Sequence, residues 1–201
     1  MKTIKYIIIS LFILTLVTNC SNEDGMDEPE FVLKNPDYLD DMDYEIYSLI
    51  LQEKFSNTNY LVINQEISKK SSMNIEIEKF QYLETEILDF DALVFSDFII
   101  KNDTIYNLDN KFNITSKEIT LISSDEIDYL QDKNWDEFYK KYPNTNGLIG
   151  MSRIGFNLDK NQAIVEIELV SGFNLVQGSL LFLKKENDEW KIISTIYIWT
   201  S

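Results

Sequence analysis

Residues 162–170 read QAIVEIELV, residues 179–185 SLLFLKK and residues 190–200 WKIISTIYIWT. Each is rich in β-branched, leucine and aromatic side chains. The stretches between them, Ser171 to Gly178 and Glu186 to Glu189, carry the polar and glycine residues of turns. With Leu148 to Phe156, which runs into the polar stretch Asn157 to Asn161, this spacing is that of an antiparallel meander. In the second strand the period of two places Ala163, Val165, Ile167 and Leu169 on one face, and Glu166 and Glu168 on the other beside Ile164 and Val170. One face is therefore expected to be core. In the last strand Ile192, Ile196 and Ile198 fall on one side, and Ile193, Tyr197 and Trp199 on the other. A strand apolar on both faces calls for cover on both. If Tyr197 and Trp199 were exposed instead, they would form the kind of apolar patch that marks an interaction site.

Working back from the meander, helical patterns take over. Asp40 to Asp43 precede Tyr44, Tyr47, Leu51 and Phe55, a stripe at helical spacing that predicts a helix over about 42–55. Tyr60 to Ile63 and Lys117 to Ser123 read as short strands, and Ile75 to Ile100 as mostly helical with a break at Asp89 to Asp91. Ser123 with Glu126 makes a capping box for a short helix through Leu130. A second short helix begins near Asn134, carries Trp135, Phe138 and Tyr139, and stops at Pro143. Asn146-Gly147 is a turn. The expected class is α+β, with N-terminal helices packed on a C-terminal antiparallel β-meander.

The N-terminus has a different character. Lys2 and Lys5 precede an apolar run from Tyr6 to Val17, followed by Thr18, Asn19 and the single cysteine, Cys20. A positive end, an apolar stretch and a short exit make a secretory signal. The run is about a dozen residues, below the roughly 20 that span a bilayer core. Val17, Thr18 and Cys20 resemble the bacterial lipobox, with Asn19 where a glycine, alanine or serine is usual. That resemblance implies cleavage after residue 19 and lipidation of Cys20. A lone cysteine in an exported chain has no disulfide partner within the molecule, which suits the same role. Residues 20–36 open with Ser21-Asn22-Glu23-Asp24, too polar and acidic to offset the entropy of ordering, and are expected to be a disordered tether. Residues 37–201, about 165 in number, suit one domain.

The formal net charge is −16, and loss of Lys2 and Lys5 with the signal leaves 16 basic against 34 acidic residues, or −18. Such a chain repels phosphate backbones, so nucleic acid is not an expected partner. Histidine is absent, which removes His-based triads and His-ligated metal sites. No phosphate-binding loop, Rossmann glycine pattern or nucleophile elbow is present, and no cofactor or metal is expected. Asp40-Asp41-Asp43, Asp103 with Asp109 and Asn110, and Asn157 with Asp159 and Asn161 offer hard oxygen ligands without the EF-hand pattern; a helix cap and a hairpin turn account for the first and last. Arg153, the one arginine, is expected to make a structural ion pair or, alternatively, to bind an anion. Gly155 behind it should admit a second backbone closely.

The motifs Trp135-Asp136-Glu137-Phe138-Tyr139-Lys140-Lys141-Tyr142-Pro143, Ser152-Arg153-Ile154-Gly155-Phe156-Asn157, Asp159 to Glu166, and Leu181 to Trp199 resemble an uncharacterised family of Bacteroidota envelope lipoproteins. The acidic run after Cys20 is similar to that of surface-exported lipoproteins of the same group. Family members carry a Cys-Gly-containing loop between the second and third terminal strands; here Ser171 to Gly178 keeps glycines and has no cysteine. The resemblance implies a cell-envelope location, lipid-anchored at the outer membrane, and an α+β fold. It implies no activity.

Two functions follow as expectations. The first is a non-catalytic module that binds a protein, peptide or glycan, using Phe173, Leu175 and Val176, which are apolar where a turn should be polar, together with Tyr197 and Trp199. The second is an envelope hydrolase acting on a glycan through Glu166 and Glu168, which alternation places about 7 Å apart. The anchor can be tested first. In a host that processes lipoproteins, labelled palmitate should enter the wild-type chain and not Cys20→Ser, whose signal should stay attached. Equal labelling of both chains would overturn the assignment.

Overall fold

Helix α1 (Asp41–Lys54) opens the regular structure of the computed structural model, which describes residues 29–67, 77–172 and 175–200, with backbone alone at 77–79, 199 and 200. Asp40 stands extended before it, and the Asp43 carboxylate accepts the Asp40 N–H at 3.1 Å. Asp41 and Asp43 in the first turn and Lys54 in the last complement the helix dipole. Tyr44, Tyr47 and Leu51 are buried as the stripe predicts, and Ile46 and Ile50 widen it.

Among the described residues there follow β1 (Tyr60–Asn64), β2 (Glu66–Ile67), α2 (Ile77–Glu86), α3 (Leu93–Lys101), β3 (Tyr106–Asn107), β4 (Glu118–Ile122), α4 (Ser124–Lys133) and α5 (Trp135–Lys141). The Ser123 hydroxyl caps α4 by accepting from the Glu126 N–H at 3.2 Å, and the Asn134 side chain caps α5 through the Glu137 N–H at 3.0 Å. The chain closes with β5 (Leu148–Met151), β6 (Gly155–Phe156), β7 (Gln162–Val170), β8 (Val176–Glu186) and β9 (Glu189–Thr200). The class is α+β.

Strands β7, β8 and β9 pair antiparallel as a meander. It does not stand alone. The order β4-β1-β5-β7-β8-β9 joins it through β5 to a parallel half in which β1 pairs with both β4 and β5. Helix α1 covers one face, packing on Leu61, Ile63, Ile149, Val165, Leu181 and Leu183. The other face carries two clusters. Val62, Ile122 and Leu148 meet α4 and α5 over the parallel half, while Ile164, Leu180 and Phe182 meet α2 and α3 over the meander.

This two-sided cover corrects the expectation that β7 has a single core face. Every residue from Gln162 to Ile167 is buried, and Glu166, expected on a solvated face, is 1% exposed. The cause is position: β7 lies inside the sheet with helices on both sides, so its alternation is hidden by burial.

The last strand departs from simple alternation as well. Pairing between β8 and β9 slips between Phe182 and Leu183, so Leu183 opposes Ile192, Phe182 opposes Ser194, and Ile193 is the extra residue. A bulge of this kind exchanges the faces of everything beyond it. Ile192 therefore packs on the α1 side, and Ile196 and Ile198 on the α2 and α3 side, where period-two reading had placed all three together.

The chain divides into two compact units, of which the second runs from Phe31 to Ser201. Residues 31–36, expected within the tether, lie against it. Phe31 meets the Tyr129 ring at 5.3 Å, and Gln65 bonds the Lys34 backbone twice, at 2.9 and 2.7 Å. The segment is held this way because its apolar Phe31 finds a ring to pack on and its backbone is satisfied by the buried Gln65 side chain.

Gly155 admits a close neighbour, as expected. A Cβ there would stand 2.5 Å from the Val94 carbonyl oxygen and 2.6 Å from Phe98 Cα, both in α3. Gly155→Ala should therefore push α3 off β6 and cost about 1–3 kcal/mol in urea denaturation. A change within experimental error would show that α3 can retreat freely.

Candidate functional site

Between β5 and β6 the strand expected over Leu148 to Phe156 is broken. Met151 opposes Ile167 and Gly155 opposes Ile164, so three residues, Ser152 to Ile154, face only Val165 and Glu166. This bulge is pinned from several sides. Asn102, at the end of α3, accepts the Arg153 N–H at 2.7 Å and donates to its carbonyl at 2.9 Å. The Tyr47 hydroxyl donates to the Ser152 carbonyl at 2.8 Å, and burial raises that hydroxyl well above its ordinary pKa, so it remains a donor.

The bulge aims Arg153 over the Tyr106 ring, with its guanidinium carbon 3.9 Å from the centroid. The side chain is 9% exposed and its Nε has no hydrogen-bond partner. Among the described residues no carboxylate pairs with it directly. Asp43 acts on it at longer range. Arg153 thus stacks on the Tyr106 ring with the Asp43 charge at longer range.

The other end of α1 builds a cleft. A helix of 14 residues spans about 21 Å, whereas a strand of 12 residues spans about 40 Å. The meander therefore outruns the helix. Beyond Lys54 the α1 side of the sheet is left open as a cavity of about 220 Å³. Its floor is Ile167 and Leu169 of β7, Gln177 and Ser179 of β8, and Thr195 and Tyr197 of β9. Phe55 and Asn57 wall one side and Asn146 another. Lys54 reaches across and donates to the Thr195 hydroxyl at 2.7 Å.

Glu168 also borders this space, but strand alternation sends its side chain to the opposite face. There it stands beside Gly150, with a carboxylate oxygen 3.5 Å from the position a Cβ would take. Glu166 shares that opposite face. The two glutamates do not converge on the cleft.

Of the residues singled out from sequence, Tyr197 enters the cleft, 61% exposed, because its cross-strand partner Ser179 lies past the end of α1. Cover on both faces of β9, expected from its composition, is not found at this position. Leu175 is 66% exposed and lies outside the cleft, and Val176 is half-buried where β8 starts against Val170. Phe173 and Cys20 lie outside the described residues, and for Trp199 only its backbone pairing with Gly178 is described. Lys54, Asn57, Ser179 and Thr195 were not foreseen. The available signal was the difference in length between the helix and the strands.

Among the described residues no group of three or more acidic or thiol side chains is arranged to hold a metal ion. Asn157 instead ties its turn by accepting the Asn161 N–H at 3.0 Å and donating to the Asn161 side chain at 2.8 Å. No described helix is long and apolar enough to cross a membrane. No family model, curated protein or solved structure matches the chain.

Burial raises the Asp43 carboxyl above its ordinary value of 3.8, against the opposing pull of Arg153, Lys101 and the Asp40 N–H. A raised folded value means that the stability Asp43 contributes is complete below 3.8 and is lost as pH rises through the folded value. Asp43→Asn keeps an oxygen for the Asp40 N–H and removes the titration. Its melting temperature, measured against wild type, should gain steadily from pH 3.8 upward and then level off. A difference independent of pH would refute this account.

Proposed function

We propose that this chain is an envelope lipoprotein, anchored through Cys20, whose domain is a non-catalytic binding module with the cleft beyond α1 as its site. The observation that carries the reading is Tyr197. An aromatic ring on the α1 side of the sheet, 61% exposed where amide and hydroxyl side chains meet the apolar Phe55, Ile167 and Leu169, is the kind of surface that marks an interaction site. Sites for small molecules combine such a ring with a few placed polar groups, and Thr195, Ser179 and Asn57 supply them here.

The hydrolase reading draws no comparable support. It requires Glu166 and Glu168 to act together in an open space, and Glu166 is enclosed between the sheet and the layer above it. A general acid must come within hydrogen-bonding reach of its substrate.

The resemblance to Bacteroidota envelope proteins and the lipobox-like signal support an outer-membrane location. On this reading the acidic segment after Cys20 links the anchor to the domain.

The test compares wild-type full-length chain with Tyr197→Ala after incubation with a detergent extract of the source organism's envelope. The extract should raise the melting temperature of the wild type and leave the variant unmoved, because a ligand of the folded state stabilises in proportion to its occupancy. Equal shifts in both proteins, or none in either, would sink the cleft as the binding site.

A further inference from the structure

We infer that the cleft takes a neutral saccharide, one ring of which stacks on Tyr197 while its hydroxyls bond to the surrounding amide and hydroxyl side chains. The inference rests on reading the cleft as the binding site and adds the chemical class of its ligand.

Charge narrows the class first. The chain carries 34 acidic against 18 basic residues, so its field repels an approaching anion. Within the cleft the charged group is Lys54, and it is already engaged with Thr195. A cation fares no better, because Glu168 directs its carboxylate to the far side of β7. The ligand is neutral.

Polarity narrows it further. Asn57, Asn146, Gln177, Ser179 and Thr195 all border the space. A wholly apolar ligand would strip water from these groups and return no hydrogen bonds, a cost of about 1–3 kcal/mol for each one left unmade. A ligand dense in hydroxyls satisfies them, since amides and hydroxyls both donate and accept.

Shape supplies the third constraint. The Tyr197 ring offers a flat face whose negative quadrupole attracts C–H groups made positive by neighbouring oxygens. A pyranose presents such a face, with its hydroxyls around the rim. At about 220 Å³ the cleft is smaller than the roughly 300–1,000 Å³ of a site for drug-sized ligands. It suits one sugar ring, with the rest of an oligosaccharide lying along Leu169 and Gln177.

A peptide fits less well. Extended peptides are recognised by adding a strand to a sheet edge, and the cleft lies on the face of β7, β8 and β9. The edge strand β9 is interrupted by two register shifts, which break the ladder such a peptide would extend.

The experiment presents full-length chain, held in a detergent without a sugar headgroup, to an array of α- and β-glucans, mannans and chitooligosaccharides. Polygalacturonate and short alanine peptides serve as anionic and peptide probes. At least one neutral glycan should bind; its affinity should fall about tenfold or more, ~1.4 kcal/mol, in Tyr197→Ala and stay within about threefold in Tyr197→Phe, which keeps the ring. If only polygalacturonate or the peptide binds, and does so through Tyr197, the neutral saccharide is wrong and the cleft remains a binding site. Binding of a neutral glycan that Tyr197→Ala leaves unchanged would refute the inference too. If no probe binds and the envelope extract shifts neither protein, both readings fall.

Discussion

Strand β7 is buried on both faces from Gln162 to Ile167, and most of the architecture follows from that constraint. A strand hidden on both sides needs a layer on each, and α1 and the paired helices α2 and α3 supply them. It also needs a partner on each edge. β8 takes one, and β5 and β6 divide the other between them. Through β5 the meander acquires β1 and β4, so the parallel half of the sheet hangs on the middle of the antiparallel half. Polar groups on such a strand must be satisfied internally. The Ser152 hydroxyl accepts the Glu166 N–H at 2.8 Å, and the Gln162 side chain accepts from the Asp91 N–H and donates to the Asp89 carbonyl.

Two irregularities in the partners of β7 and β8 shape the surface. The extra residue between β5 and β6 turns Arg153 away from the ladder onto Tyr106 and brings Gly155 under α3. Asn102 locks that bulge from the helix end, so the position of α3 and the direction of Arg153 are set together. The slip between β8 and β9 redistributes the isoleucines of the last strand between two cores and leaves Tyr197 on the α1 side. Because α1 stops at Lys54, that side is open there. The cleft is thus the product of a helix that is too short and a strand that shifts its register, with no dedicated loop required.

Much of the fold was legible in the residues. The stripe Tyr44, Tyr47 and Leu51, the caps at Ser123 and Asn134, and the turns around Asn157 each act within a few positions of chain, where spacing alone carries the physics. The closeness allowed by Gly155 was legible because a missing Cβ admits few explanations. The candidate site was legible only in part. Tyr197 stood out as an aromatic residue in a doubly apolar strand, whereas Lys54 and Thr195 are ordinary until the fold brings a helix end to a strand and their side chains bond at 2.7 Å.

Composition and local pattern by themselves determined the α+β class, the order of elements and the absence of histidine chemistry, because each depends on residue type or short-range periodicity. Which strands pair, which face of β7 meets which helix, and where the register slips were decided by tertiary structure alone. Those outcomes depend on contacts between residues far apart in the chain, such as Val62 with Leu148 and Gly155 with Val94, and on relative lengths of elements. Alternation cannot report burial on two sides at once, so Glu166 read as solvated although the sheet and its helices enclose it.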